Sequence, residues 1–98
     1  MKIHAEMIAR LRIIELTYKV ARAVDRNDVE LFCASFTQGG TFDAGMVSGE
    51  MPEVGRTMFA AIGDSLRRTQ HVVTNHIIFV EGTTAKGESY VTGTAFYD

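Results

Sequence analysis

The sequence predicts one α+β domain with an antiparallel sheet. Three segments with helical spacing of apolar residues precede residue 69, and two long strand-like runs, 70–81 and 86–97, follow it. A short turn at 82–85 joins the two runs, which favours an antiparallel pair. Helices followed by long paired strands are typical of the α+β class. A chain of 98 residues can bury one modest core, so we predict a single domain over residues 1–98.

The first helix is predicted over residues 3–25 from the spacing of its apolar side chains. These side chains recur at intervals of four and three residues, which places on one face Met7, Leu11, Ile14, Tyr18 and Ala21. Asp25 takes the next position of this apolar stripe. A carboxylate there would point toward the core and would need a partner. If the helix ends earlier, Asp25 lies instead in a solvated loop.

A second and a third helix are predicted from their capping residues. The second begins after Asn27, because a glutamate three residues later completes a capping-box pattern. Pro52 suits the first turn of the third helix, which we expect to run to about Arg68. Between these two helices, residues 41–44 are a candidate strand and residues 45–50 are predicted to be a loop.

The run 70–81 is predicted to be a central strand that is apolar on both faces. With a period of two, one face carries His71, Val73, Asn75, Ile77 and Phe79, and the other carries Val72, Thr74, His76, Ile78 and Val80. A strand that is apolar on both sides is usually buried on both sides. We therefore expect the first face to line an internal pocket. The second is expected to pack on a partner subunit, where His76 would have an interface role.

Asp25 and His71 are candidates for a general acid–base unit. A carboxylate behind an imidazole fixes the tautomer of the ring and favours its protonated form. Such a unit takes a proton from carbon or oxygen and returns it elsewhere without a metal or a cofactor, so we expect no cofactor. The alternative is that His71 is a core histidine whose hydrogen bonds are satisfied by the fold.

Tyr18, Asp43, Met58, Val73 and Asn75 are the candidates for contact with a substrate. Asn75 could hold a substrate carbonyl or hydroxyl, or it could satisfy backbone groups beside a bulge. Tyr18 could donate a phenolic hydrogen bond, or it could be a core tyrosine with its hydroxyl at the rim. Asp43 is either a pocket carboxylate or a turn residue. Met58 either lies near the pocket mouth or fills the core, and Val73 shares the predicted face of His71.

Composition and charge argue against several classes of function. Hydrophobic residues make up 46% of the chain and charged residues 22%, which is ordinary for a soluble globular protein. The net charge of -2 gives no reason to expect a nucleic acid or a membrane as partner. Cys33 is the single cysteine, which favours a reducing, cytoplasmic compartment. The first residues do not resemble a signal peptide, and no apolar run approaches the roughly 20 residues that span a bilayer. The sequence contains neither a paired-cysteine motif nor a His-x-x-x-His pair, so it does not predict a metal site.

Several short segments together resemble a known family. They are Val24–Asp28 after the first helix, Phe36, Thr41–Asp43, Thr69–His71 with Asn75 on a strand, and Thr84–Tyr90. This set resembles the SnoaL-like branch of the NTF2-like superfamily, and within it the scytalone dehydratase-like and lindane dehydrochlorinase-like proteins. The resemblance covers nearly the whole chain. It implies a cone-shaped α+β fold in which three N-terminal helices pack on a curved antiparallel sheet.

The resemblance also implies a reaction. In those enzymes an aspartate at the end of the first helix pairs with a histidine on the first long strand, and the histidine is the base in dehydration or dehydrohalogenation. By position these two residues are Asp25 and His71, whereas Ala44 stands near the place of the family's pocket tyrosine. A small lyase or isomerase acting on an apolar cyclic or polyketide-like molecule is therefore expected. The alternative is a non-catalytic small-molecule-binding or assembly protein of the same fold.

The resemblance finally implies association with other chains. The family fold closes its sheet with further C-terminal strands, so we expect such strands to be missing from this chain. Proteins of the superfamily often dimerise through the outer face of the sheet. We therefore expect a homo-oligomer, a dimer or higher, that forms through the outer sheet face or the open sheet edge.

Overall fold

The computed structural model describes residues 2–63 and 66–97, without the side chains of residues 66 and 67. The elements, in chain order, are α1 (Lys2–Asp25), α2 (Val29–Ala34), β1 (Thr41–Asp43), β2 (Ser48–Glu50), α3 (Glu53–Ile62), β3 (Leu66–Glu81) and β4 (Thr84–Tyr97). The predicted α+β class is confirmed. Over the described ranges, none of these helices has the length and apolar character needed to cross a membrane.

Helix α1 includes Asp25 as its last residue and ends in a Schellman motif. Asn27 adopts the left-handed conformation (φ 55°) that this motif requires and that asparagine tolerates better than most residues. The N–H of Asp28 then donates to the carbonyl of Ala23 at 2.8 Å, and the N–H of Asn27 donates to that of Val24 at 3.1 Å. The cap fixes the last turn of α1, so the side chain of Asp25 projects from the helix in a defined direction.

Helix α2 begins one residue later than the capping-box pattern predicts. Asp28, and not Asn27, is the N-cap, and its carboxylate accepts a hydrogen bond from the N–H of Leu31 at 3.0 Å. The prediction differs because Asn27 already serves the end of α1. Only residues 26–28 therefore separate the two helices.

Strands β1 and β2 form a hairpin in a segment that is partly predicted to be a loop. Asp43 pairs with Ser48, and its side chain accepts a hydrogen bond from the N–H of Gly45 at 2.8 Å, which closes an Asx turn. The loop prediction is correct for residues 45–47 and wrong for 48–50, because β2 contains Gly49, which has no side chain to reveal an alternation of faces.

Helix α3 is shorter than predicted. It ends at Ile62 because Gly63 adopts a left-handed conformation (φ 59°), and β3 already begins at Leu66. The predicted continuation of the helix to about Arg68 is therefore wrong. Residues 64 and 65, which the prediction also covers, lie outside the described residues.

Strands β3 and β4 form a long antiparallel hairpin that contains a β-bulge. Thr74 pairs with Tyr90 and Ile77 pairs with Glu88, so two residues of β3 lie opposite Ser89 alone. Asn75, the first of the two, has a φ of 57°, the left-handed conformation found in a glycine-type bulge. The extra residue shifts the alternation of faces by one for the rest of the strand.

The bulge overturns the predicted faces of β3 beyond Thr74. His76 and Ile78 face α1, since His76 contacts Thr17 of that helix and Ile78 is 7% exposed. Ile77 and Phe79 lie on the opposite, outer face and are 53% and 63% exposed. The prediction that these two residues share the face of His71 is wrong, and so is the assignment of His76 to the outer face. A strict period of two cannot anticipate an inserted residue.

The main core lies at the end of α1, among α2, α3 and the β1–β2 hairpin. Its fully buried members are Ala23, Phe32, Met51 and Val54, and the aromatic rings of Phe36, Phe42 and Phe59 surround Phe32. Met58 packs against this cluster. Helix α1 packs along β3 over its length, and its C-terminal part also contacts the aromatic core.

Candidate active site

The structure brings Asp25 and His71 into direct contact. Oδ1 of Asp25 lies 2.6 Å from Nδ1 of His71. The same oxygen accepts a hydrogen bond from the hydroxyl of Thr69 at 2.9 Å, and Oδ2 accepts one from the backbone N–H of His71 at 3.0 Å. Three donors from one strand therefore hold a carboxylate that comes from the end of α1. This arrangement fixes both the position and the orientation of the pair.

The charge of Asp25 follows from its surroundings. Partial burial opposes ionisation, but hydrogen bonds from the His71 ring, the His71 backbone and Thr69 outweigh it, so the pKa of Asp25 lies below its ordinary value. An ionised carboxylate has no proton to donate, so Nδ1 of His71 must donate in the 2.6 Å contact. In the neutral ring Nε2 is then unprotonated, which makes it the nitrogen available as a base.

The surroundings of the pair are small and uncharged. Across the hairpin His71 is paired with Gly93, and the adjacent pairs on the same face are Val73 with Val91 and Thr69 with Ala95. The side chains of His71 and Asp25 are 27% and 22% exposed, so the pair is sheltered and still reachable from solvent.

Acidification should remove a stabilising contribution of Asp25. The folded pKa of Asp25 is below its unfolded value, so its contribution is fully present above the unfolded pKa and is lost as pH falls through the folded one. We expect the free energies of unfolding of wild type and Asp25→Asn to differ most at neutral pH. The difference should shrink progressively as the pH falls below about 4. Urea titrations across this range measure the difference. A gap between the two proteins that stays constant down to about pH 2 would contradict the expectation.

The other predicted substrate contacts are dispersed. Val73 is half-buried on the helix-facing side of β3, as is His71. Asn75 is exposed at the bulge, and Asp43 is exposed in the β1–β2 turn, where its carboxylate binds Gly45. Met58 belongs to the periphery of the aromatic core. For Asp43 and Met58 the structure shows the turn and core alternatives, and it places Asn75 at a bulge.

A second imidazole lies on the same side of β3, against α1. Nε2 of His76 is 2.8 Å from the hydroxyl of Thr17, and the ring of Tyr18 packs edge-on against it at 5.5 Å between centroids. The Thr17 hydroxyl donates its proton to the carbonyl of Ile14 at 2.7 Å, so it accepts from Nε2 of His76. Tyr18 thus contacts His76, and no described contact joins it to His71. No sequence pattern indicates this cluster, because the bulge reverses the direction of His76.

Three open surface cavities lie away from the pair. One of about 390 Å³ lies at the bulge and is lined by Asn75, His76, Ile77, Glu88, Ser89 and Tyr90. Another of about 320 Å³ lies between β2 and α3 and includes Val47 and Val54 in its lining. A third of about 360 Å³ is lined by residues of α2 and by Met51 and Pro52. None of these three cavities is lined by Asp25 or His71, and the expectation of one pocket shared by His71 and Asn75 stays a prediction.

Comparison with known proteins places this geometry in a family. Residues 5–98 match the SnoaL-like domain. The chain belongs to the SnoaL-like domain family. That family includes dehydratases and isomerases, and the expected SnoaL-like resemblance is confirmed. No curated protein sequence matches the chain significantly. Within the described residues, no group of three His, Cys, Asp or Glu side chains is placed to hold a metal ion.

Two solved structures share the fold. A protein from Novosphingobium aromaticivorans, named as a candidate aromatic ring hydroxylase, is 28% identical over 90% of this SnoaL-like chain, with a TM-score of 0.82. A protein of unknown function from Nostoc punctiforme PCC 73102, with a cystatin-like fold, is 30% identical over 88% of the chain, with a TM-score of 0.78. The SnoaL-like chain spans 65% of the length of each.

Proposed function

We propose that this SnoaL-like protein is a cofactor-independent lyase or isomerase of the dehydratase type. Asp25 and His71 would be its acid–base dyad, and an apolar cyclic or polyketide-like compound its substrate. The observation that carries the proposal is the 2.6 Å contact between Asp25 Oδ1 and His71 Nδ1, supported by Thr69 and the backbone of His71. The contact directs the proton to Nδ1 and leaves Nε2 as a base.

The reaction needs only one proton carrier. Nε2 of His71 takes a proton from an acidic C–H of the substrate, and the electron pair of that bond forms a new C=C bond. The C–O bond to a neighbouring hydroxyl breaks, and the hydroxyl leaves with the proton that the imidazolium returns from Nε2, as water. The neutral ring is thereby restored. In an isomerisation the same proton returns to a different carbon, and nothing leaves. Asp25 stabilises the imidazolium throughout.

The immediate neighbours of the dyad support a flat, apolar substrate. Val73 and Val91 lie on one side of the His71–Gly93 pair and Ala95 lies on the other. We therefore propose Val73 as an apolar contact of the substrate. The name of the similar protein from N. aromaticivorans points to aromatic rings, which agrees with a cyclic substrate.

The test is proton transfer to and from carbon. A bicyclic β-hydroxyketone, such as a β-hydroxytetralone, is incubated with the full chain in deuterium oxide. Deuterium incorporation next to the carbonyl reports proton abstraction, and formation of the fluorescent naphthol reports dehydration. We expect the protein to accelerate both. Binding of the ketone without either change would favour a non-catalytic binding protein of the same fold.

We further propose that two copies associate through the outer face of the β3–β4 hairpin. This face carries Val72, Ile77, Phe79 and Tyr90, which are 49–70% exposed, a larger apolar patch than isolated surface residues produce. The bulge places Ile77 and Phe79 on it and removes His76 and Ile78. We expect Phe79→Glu to convert a dimer to a monomer in sedimentation velocity. A wild-type monomer at all concentrations would disprove this association.

A further inference from the structure

We propose that Gly93 is a positioning residue of the acid–base site. The absence of a side chain at this position lets the His71 ring lie against β4 while Asp25 holds its other edge, and it keeps Nε2 open to the substrate. The chemical part of this inference rests on the proposed function, whereas the steric part rests on the structure alone.

The space over Gly93 is already used by the imidazole. A Cβ at this position would lie 3.2 Å from both Cδ2 and Nε2 of His71, and 4.0 Å from Cε1. Contacts of 3.2 Å are tighter than most Cβ atoms make, so the ring would have to move. Nδ1 is fixed on the opposite edge by its 2.6 Å contact with Asp25. The ring is therefore clamped between a carboxylate and the backbone of β4.

The backbone itself does not require glycine at this position. Gly93 is outside the left-handed region, in contrast to Gly82 with a φ of 59° in the turn of the same hairpin. A glycine within a strand weakens it and often marks a close approach of another group. On local grounds alanine should therefore stabilise β4. The requirement for glycine comes from the imidazole that covers it.

The position of Gly93 also bears on which substrates reach the base. The Cδ2–Nε2 edge of His71 is the edge that lies over Gly93, and Nε2 is the nitrogen that takes the proton. Any side chain at this position would compete with the substrate for the space next to Nε2. We infer that the site selects flat C–H acids, which enter beside a bare stretch of backbone.

Gly87 offers a matched control on the same strand and face. It is paired with Ile78, and a Cβ there would meet Cγ1 of Ile78 at 3.4 Å, an ordinary contact. Gly87→Ala therefore reports the general effect of a methyl group on β4 without touching the dyad. The test compares Gly93→Ala, Gly93→Val and Gly87→Ala with the wild type.

Diethyl pyrocarbonate is the probe, because it acylates unprotonated imidazole nitrogens that it can reach. The rate for each histidine is followed by peptide mass spectrometry, alongside thermal unfolding. We expect His71 to react several-fold more slowly in Gly93→Ala and more slowly still in Gly93→Val, with no change in Gly87→Ala. Long-range ¹H–¹⁵N spectra should show the Nδ1–H tautomer of His71 in the wild type and a perturbed Nδ1 resonance in Gly93→Ala alone.

The outcomes separate the two proposals. If His71 reacts equally fast in wild type, Gly93→Ala and Gly87→Ala, the role of Gly93 is overturned, whatever the activity. If Gly93→Ala protects His71 but the wild type shows no deuterium exchange with the β-hydroxytetralone, the proposed function fails and the role of Gly93 in positioning the ring stands. Should Gly93→Val not fold, Gly93→Ala alone decides. If the wild type is active, we expect Gly93→Ala to lower kcat by less than the roughly 10²-fold that a misplacement of about 1 Å can cost, because the ring has to give way by only a few tenths of an ångström.

Discussion

Replacing His71 by glutamine is expected to lower the rate of deuterium exchange by about 10²- to 10⁴-fold, the usual contribution of a positioned general base. Glutamine keeps an amide that can contact the Asp25 carboxylate and so preserves much of the polar network. It has no nitrogen lone pair basic enough to take a proton from carbon. The loss should fall on kcat, because proton abstraction occurs in the transition state and contributes little to binding of the ketone.

His76→Gln is the matched control for this variant. His76 lies on the same strand, also faces α1, and also makes a short side-chain contact to that helix, but its partner is the Thr17 hydroxyl and not a carboxylate. We expect His76→Gln to retain the wild-type exchange rate. Equal losses in the two variants would mean that packing on α1, and not the Asp25–His71 dyad, accounts for the activity. An unchanged rate in His71→Gln would remove the proposed mechanism.

Local patterns in the sequence predicted the two members of the dyad: helical spacing for Asp25 and the alternation of β3 for His71. Asp25 continues an apolar stripe with helical spacing, and a charged residue in such a place needs a partner across the fold. The structure shows that the helix does reach Asp25 and that a Schellman cap fixes its last turn. The sequence distance between Asp25 and His71 carried no information about their contact. The family resemblance supplied that link.

The sequence failed where one inserted residue decides the geometry. The alternation of β3 predicts its faces correctly up to Thr74, and the bulge at Asn75 then reverses every later residue. Asparagine tolerates a positive φ better than most residues, but this tolerance is a weak preference that does not locate a bulge. The same limit explains why His76 was expected on the outer face.

At two other places the prediction failed because of a glycine. Gly63 ends α3 early, and Gly49 conceals a short strand, because a residue without a side chain adds nothing to a hydrophobic pattern. Gly93 belongs to the same class, since its importance lies in what another residue places over it. The role of such a glycine becomes clear only when the structure shows which residues of the same chain lie against it.

The position of the dyad depends on the aromatic core. Ala23, two residues before Asp25, is fully buried in the cluster that also contains Phe32. The end of α1 is thus anchored from one side by this cluster and from the other by the hydrogen bonds to β3. Loss of the cluster would release the turn from which Asp25 projects, so stability and site geometry are linked here.

Phe32→Ala should be among the most destabilising single substitutions in the described chain. Phe32 is 1% exposed, and its ring lies 5.1 Å from that of Phe36, 5.5 Å from that of Phe42 and 5.2 Å from that of Phe59, between centroids. Removing a buried phenylalanine costs about 3–5 kcal/mol, the sum of lost transfer energy and an unfilled cavity. A domain of this size has a free energy of unfolding of about 5–15 kcal/mol in total, so this loss would remove a large share of it.

Urea unfolding of Phe32→Ala and of Leu11→Ala makes the comparison at matched positions, since both replace a large apolar side chain in a helix. Leu11 is 66% exposed, although the helical spacing places it on the stripe predicted to face the core, so its loss should change the free energy of unfolding by no more than about 0.5 kcal/mol. Equal effects of the two variants would mean that the aromatic cluster is not the main core. If Phe32→Ala stays folded, the Nδ1–H resonance of His71 should broaden as the end of α1 loosens, because Asp25 holds that proton only while the last turn of the helix is packed.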